Sequence, residues 1–394
     1  MRALRGSRRA GGAALALMVA AGIVWMFALR YRPEPVHAAT AVSDAACLSC
    51  HADKAAYERT AHRSTSRPPT REAIAGRFDA GVNELRTTNP YLHYRMDSTA
   101  DGFTQTAVLG APPNTTLHTE RFAYVVGSGR KGQSYIYRKG SDALYQLPVS
   151  HWTGLGWTNS PGFTDGVANF DRAITPRCLE CHSTSVTPIA DAHRVNRFAT
   201  SPAPVLGITC EKCHAAGRDH VQREQSSLRA LMPRSIVNPA RLSRQRRIEG
   251  CALCHGGVGE PKTASFTYVP GTPLREHLDI KPAAPNDIDV HGNQVALLAR
   301  SKCFRGSEMT CSTCHDVHRT QRDVAQLSGR CLTCHTAQSC GLYPTRGQSI
   351  VGRCADCHMP LQRSNTIVSG HEGQQERPPV RSHWIKVYPE TATR

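Results

Sequence analysis

The chain has 394 residues, 16 cysteines, 19 histidines and a formal charge of +17. Cysteine at about 4% is too sparse for a small disulfide scaffold and too abundant for an ordinary cytosolic enzyme. With 40% apolar and 6% aromatic residues beside 31 glycines and 25 prolines, the side chains are too few to fill the two or three domains this length suggests, so another apolar component is expected.

Residues 11–29 carry no charge; Arg2, Arg5, Arg8 and Arg9 precede them and Arg30 and Arg32 follow. This asymmetry keeps the N-terminus in the cytoplasm and sends the rest outward. The run is longer than the usual 7–15-residue signal core. That favours an uncleaved anchor over a signal cleaved near Val36-His37-Ala38. Residues 1–38 are therefore read as anchor and linker. The remainder is placed on the periplasmic side of a bacterial inner membrane, with a soluble periplasmic chain as the alternative.

Residues 39–85 hold Cys47-Leu-Ser-Cys50-His51, the first of seven copies of Cys-x-x-Cys-His. The others are Cys178/Cys181/His182, Cys210/Cys213/His214, Cys251/Cys254/His255, Cys311/Cys314/His315, Cys331/Cys334/His335 and Cys354/Cys357/His358. Chance at this composition gives about 0.03 copies. On one helical turn, positions i, i+3 and i+4 share a face. Two thiols there can form thioethers with the two vinyl groups of one haem, and the following imidazole becomes its proximal iron ligand. Paired zinc knuckles are the alternative. They take four ligands from two motifs, need no histidine at the fifth place, and seven do not pair off. Seven covalent haem c groups are expected, one per about 51 residues of 39–394. They would supply the missing core. A mainly α fold follows, with much irregular structure wrapped around stacked haems.

The interval of 131 residues from Cys47 to Cys178 is too long for one haem loop. Phe122–Val126, Ser134–Tyr137 and Ala143–Leu147 alternate aromatic with polar residues between glycine-rich breaks, which predicts hairpins. A small β-rich insert is read over 86–172. Its first break, Gly127-Ser-Gly-Arg-Lys-Gly132, matches G-x-G-x-x-G. A dinucleotide loop must open a helix, and a tyrosine-rich strand follows here, so a hairpin turn is expected.

Residues 173–394 form a six-haem cytochrome domain in this reading. Eight arginines lie at 218–247, and haem propionates suit them better than nucleic acid in an exported chain. Residues 1–38 hold five of the net positive charges. Seven oxidised haems at about −1 each leave the exported part near +5, so basicity argues only weakly for an acidic partner. Cys303 and Cys340 lie outside the motifs, as a disulfide or as two unrelated thiols. Twelve histidines remain for the far faces of the irons. Local context singles out His62, His220, His291, His318 and His383. A histidine so close to a motif serves a neighbouring haem and locks haems into pairs. This surplus predicts mainly bis-His, low-potential haems.

Cys178-Leu-Glu-Cys-His182, Cys210-Glu-Lys-Cys-His-Ala-Ala-Gly-Arg-Asp-His220, Met309-Thr-Cys-Ser-Thr-Cys-His-Asp-Val-His318 and Cys354-Ala-Asp-Cys-His-Met-Pro360 carry a resemblance. The chain resembles multihaem c-type cytochromes related to the ammonia-oxidation tetrahaem cytochrome and ammonia-forming nitrite reductase. The order of motifs over about 47–385 is also similar to the haem half of heptahaem cytochromes fused to tetratricopeptide repeats. The resemblance implies bis-His haems in stacked pairs, with His62, His220, His291, His318 and His383 as distal ligands and His118 and His151 as further candidates.

Electron transfer between a membrane quinol oxidoreductase or another cytochrome and a periplasmic acceptor is the leading expectation. The alternative is a reductase whose one open haem acts on nitrite, hydroxylamine, nitric oxide or a sulfur oxyanion, with His93 and Tyr94 as lining candidates. A structural subunit of a larger redox complex, or an oligomer, is also compatible with the sequence. Whether the chain is an enzyme stays open at this point, and no nucleic-acid partner is expected.

Overall fold

Alternation along the chain builds the largest element. In Leu92-His-Tyr-Arg-Met96 every second side chain is buried, so the segment presents Leu92, Tyr94 and Met96 to one face as a strand does. The computed structural model of the chain describes residues 33–257, 259–280, 293–364 and 366–391. It contains β1 (Ser66–Arg67), β2 (Glu84–Arg86), β3 (Leu92–Thr99), β4 (Gly102–Ala111), β5 (Asn114–Val126), β6 (Gly132–Lys139), β7 (Ala143–Gln146), β8 (Val149–Trp152) and β9 (Gly156–Asn159). These nine strands form one antiparallel sheet in the order β2-β3-β4-β5-β6-β8-β9, with β1 on β5 and β7 on β6.

The expected mainly α fold is thereby overturned. Among the described residues helix accounts for 27% and strand for 23%. The β structure is a nine-stranded sheet and not a small insert. The physical reason lies in the motif itself, which needs only one helical turn. The helices Cys210–His214 and Cys311–Cys314 have five and four residues. Strands β4 and β5 have 10 and 13.

One face of the sheet buries Tyr94, Met96, Phe122, Tyr135, Tyr137, Leu147 and Trp157 in a single cluster. Phe122 stacks on Tyr135 at 4.4 Å. Burying each such side chain contributes about 1.5–3 kcal/mol. Gln105, a buried amide in this interior, has both side-chain polar atoms bonded. It accepts from the Val149 amide at 2.9 Å and donates to the Val149 carbonyl at 3.2 Å. The opposite face matters more for the site. Ile136 and Leu144 pack there with Ile174, Leu179, Val186, Phe198 and Phe266. Leu179 lies inside Cys178–His182, so the sheet fixes that motif directly.

The β5–β6 turn contains the glycine-rich match. Gly127 has φ +103°, and a Cβ there would stand 2.6 Å from the Gly132 carbonyl oxygen. Strand follows, not helix, so the hairpin expectation fits the backbone. His93 and Tyr94, weighed above as site residues, belong to β3. His93 pairs with Arg86 and Val108, and Tyr94 is buried with its hydroxyl donating to the Val167 carbonyl. Residues 11–29 lie outside the described residues. Among the described residues no helix is long and apolar enough to cross a membrane.

Candidate haem-binding cavity

Each motif is built on a local turn. The amides of His51, His315 and His335 donate to the carbonyls of Cys47, Cys311 and Cys331 at 3.0 Å, closing the turn that puts both thiols and the imidazole on one side. Capping residues start these short helices. Ser43 accepts from the Ala46 amide, and Thr310 and Thr313 form a reciprocal capping box. Arg244–His255, the longest motif helix, ends on the motif histidine His255.

The seven motifs face one continuous cavity of about 3750 Å³, and all 14 motif cysteines and seven motif histidines line it. A site for one small molecule or cofactor measures about 300–1,000 Å³. The cavity therefore has the size of several such sites, about 540 Å³ per motif. Neighbouring motifs meet through their thiols. Cys47 lies beside Cys210, Cys181 beside Cys254, and Cys251 beside Cys311. Cys331 stands near both Cys314 and Cys354.

Four of the expected distal histidines, His62, His220, His318 and His383, also line the cavity. Three face a motif histidine from a different segment. The ring centres are 6.1 Å apart for His62 and His255, 6.3 Å for His214 and His318, and 6.3 Å for His315 and His383. A metal–imidazole bond of about 2.0 Å on each side, with about 1.1 Å from nitrogen to ring centre, gives about 6.2 Å across one metal. The residues present thus fit axial ligation of an iron between two rings. His220 lies close to His51.

The ring orientations agree. His214 and His358 each direct Nδ1 at a backbone carbonyl, of Val237 and Lys386, at 2.8 Å. That fixes the ring and leaves Nε2 for a metal. Burial lowers the pKa of His62, His214, His315 and His318. His255 and His383 are brought to about 4 by burial and by neighbouring imidazoles. All six are neutral at pH 7, the form that binds metal.

The remaining candidates stand elsewhere. His118 is on β5, paired with Glu120 and packed on Phe170 at 4.2 Å. His151 is on β8, against the edge of Trp157. Neither lines the cavity. His291 lies outside the described residues. Cys303 and Cys340 are free thiols, and both line the cavity. Of the eight arginines at 218–247, Arg246 and Arg247 reach it.

A buried charged group went unread in the sequence. Glu180, a spacer residue of Cys178–His182, is fully buried. Its carboxylate accepts from Arg177 at 2.8 Å, the Phe266 amide at 2.7 Å and His277 Nε2 at 3.1 Å. Burial alone would push this carboxyl up, but those donors and the Lys212 ammonium outweigh it and hold the pKa at about 2. A glutamate between two motif cysteines was the only sequence signal.

Residues 163–215, which contain the motifs at 178–182 and 210–214, match the family of cytochrome c554 and c-prime. A 215-residue stretch is 21% identical to the C-type polyheme cytochrome OmcC of Geobacter sulfurreducens, covering 48% of this chain and 27% of that protein. The chain thus aligns with about a quarter of that relative's length. These matches support a multihaem c-type cytochrome. No solved structure matches the chain. A multihaem c-type cytochrome holds haem covalently, and electron transfer is the chemistry this family suggests. The cavity is where a protein of that kind would hold it.

Proposed function

We propose that the chain is a heptahaem c-type cytochrome that passes electrons between a membrane or periplasmic donor and a redox acceptor outside the cytoplasm. The donor would be a quinol oxidoreductase or another cytochrome. The observation that carries this reading is the single cavity onto which all seven Cys-x-x-Cys-His motifs open. Residues 1–38 serve export in this reading, as anchor or cleaved signal. Residues 39–85, 86–172 and 173–394 are the first haem segment, the sheet region and the six-haem region.

Bound haem supplies one-electron ferric–ferrous chemistry. The chain supplies position. Its cysteines would tether the haem, and its motif histidines with His62, His318 and His383 would hold the iron. Each distal ring comes from a segment remote from the motif it faces, so ligation clamps distant parts of the chain together. Nδ1 contacts to backbone carbonyls hold the rings still while charge changes. Adjacent motif thiols keep successive cofactors close, as stepwise transfer requires.

Intact-mass measurement of the exported protein under denaturing conditions tests the reading. Seven covalent haems per chain are expected, with every one reduced and reoxidised in a redox titration. A preparation saturated at four haems, or one with zinc in place of iron, refutes it.

A further inference from the structure

We propose that the exposed turn at 226–234 is the docking surface for an acidic one-electron carrier protein, seated beside the motif Cys210–His214. The proposal rests on the heptahaem reading and gives the electrons a place to cross the protein surface.

The turn follows the helix Arg218–Gln225 and reads Ser226-Ser-Leu-Arg-Ala-Leu-Met-Pro-Arg234. Backbone bonds fold it tightly. The Arg229 amide donates to the Ser226 carbonyl at 3.2 Å, and the Leu231 amide to the Leu228 carbonyl at 2.9 Å. Leu228 and Leu231 are 62% and 68% exposed. Among the described residues no other two large apolar side chains so exposed lie within four positions of each other. Clustered exposed apolar side chains, unlike single ones, mark interaction sites.

The charge around them has one sign. Among the described residues neither the Arg229 nor the Arg234 guanidinium has a hydrogen-bond or carboxylate partner. The carboxylate before them, Glu224, is taken by Arg223, and the chain holds no other until Glu249. Neither arginine lines the cavity, so haem propionates held inside would not neutralise them. An apolar centre with a cationic rim fits a partner whose own apolar patch is rimmed by Asp and Glu. Charge then sets the rate of encounter, and a small apolar contact suits a transient redox pair.

Both ends of the turn reach the cavity. Gln225 lines it three residues before Leu228, a chain span of at most about 11 Å. Val237, beyond the other end, is bonded twice to His214. Its amide donates to the His214 carbonyl and its carbonyl faces His214 Nδ1, both at 2.8 Å. A lipid surface neither gives nor takes electrons and gains nothing from a turn anchored on a motif histidine. One electron crosses per encounter. The partner's reduced centre is oxidised and one ferric haem becomes ferrous, with no bond made or broken.

The test uses the full-length holoprotein, with seven haems confirmed by mass in every variant, and reduced plant-type [2Fe–2S] ferredoxin, a small acidic protein, as the probe. Stopped-flow absorbance reads the second-order rate of haem reduction. The rate is expected to fall as salt rises. It should drop about tenfold in Arg229→Glu/Arg234→Glu, and about threefold in Leu228→Ser/Leu231→Ser with the salt dependence kept. Arg86→Glu/Arg121→Glu makes the same charge change at exposed strand positions and should stay within about twofold of wild type. Equal losses in the two charge-reversed variants, or no loss at the turn, overturn the proposal. So does a wild-type rate indifferent to salt. Sedimentation with phosphatidylglycerol vesicles that the turn variants abolish, at an unchanged ferredoxin rate, also overturns it and assigns the turn to a membrane. A wild-type haem count below seven instead overturns the parent reading.

Discussion

Removing the Glu180 carboxylate tests whether the motif at Cys178–His182 is held by a buried ion pair as well as by the sheet. In Glu180→Ala, Arg177, which is 7% exposed, loses its 2.8 Å partner, and the Phe266 amide loses its acceptor. Breaking one side of a buried pair costs about 3–5 kcal/mol, because the remaining charge stays buried without its counter-ion, although Arg177 keeps its bond to the Leu253 carbonyl at 2.6 Å. At about 2–4 °C per kcal/mol, the holoprotein should melt roughly 6–20 °C lower. The folded carboxyl lies at about 2, below the unfolded value. Its contribution is therefore fully present above about pH 4.3 and fades as pH falls toward 2, so the two melting curves should converge on acidification. Differential scanning calorimetry of wild type and variant at equal haem content reads both effects. A loss under 2 °C at pH 7, with all haems retained, would mean that Arg177 finds another partner and refute the reasoning.

Three further outcomes follow from the same geometry. Met96 is fully buried in the sheet interior, so Met96→Ala should cost about 2–5 kcal/mol in denaturant unfolding, and a cost below 1 would contradict the packing described. A Cβ on Gly76 would stand 2.2 Å from the Trp157 ring, so Gly76→Ala should lose about 1–3 kcal/mol by overpacking, read by the same unfolding curve and by a changed tryptophan emission. His62 faces His255, so His62→Met should raise one midpoint potential in spectroelectrochemistry and leave the haem count unchanged; an unaltered set of midpoints would place His62 elsewhere.

The haem motifs were legible because their chemistry is local. Two thiols and an imidazole within five residues declare themselves without tertiary context. Distal candidates depend on which segments meet, yet local context and the resemblance singled out His62, His220, His318 and His383, and all four line the cavity. His118 and His151 stood only as further candidates, and the strand pairing of β4 and β5 shows where His118 lies. The sheet was underread for a different reason. Leu92, Tyr94 and Met96 show the two-residue period of a strand, but a low overall apolar fraction does not reveal that such residues are gathered into a second core of ordinary side chains. Glu180 was silent, since burial of a charge is a property of the folded whole.

The pairing of thiols across motifs bears on how the protein matures. Cys47 and Cys210, Cys181 and Cys254, and Cys251 and Cys311 come together only when the chain has its final shape. In a compartment that makes disulfides, a chain that reached this shape with bare thiols would bring cross-linking partners together. On the proposed heptahaem reading, its cysteines would be kept reduced and ligated while the chain is still open, with cofactor attachment before closure of the cavity.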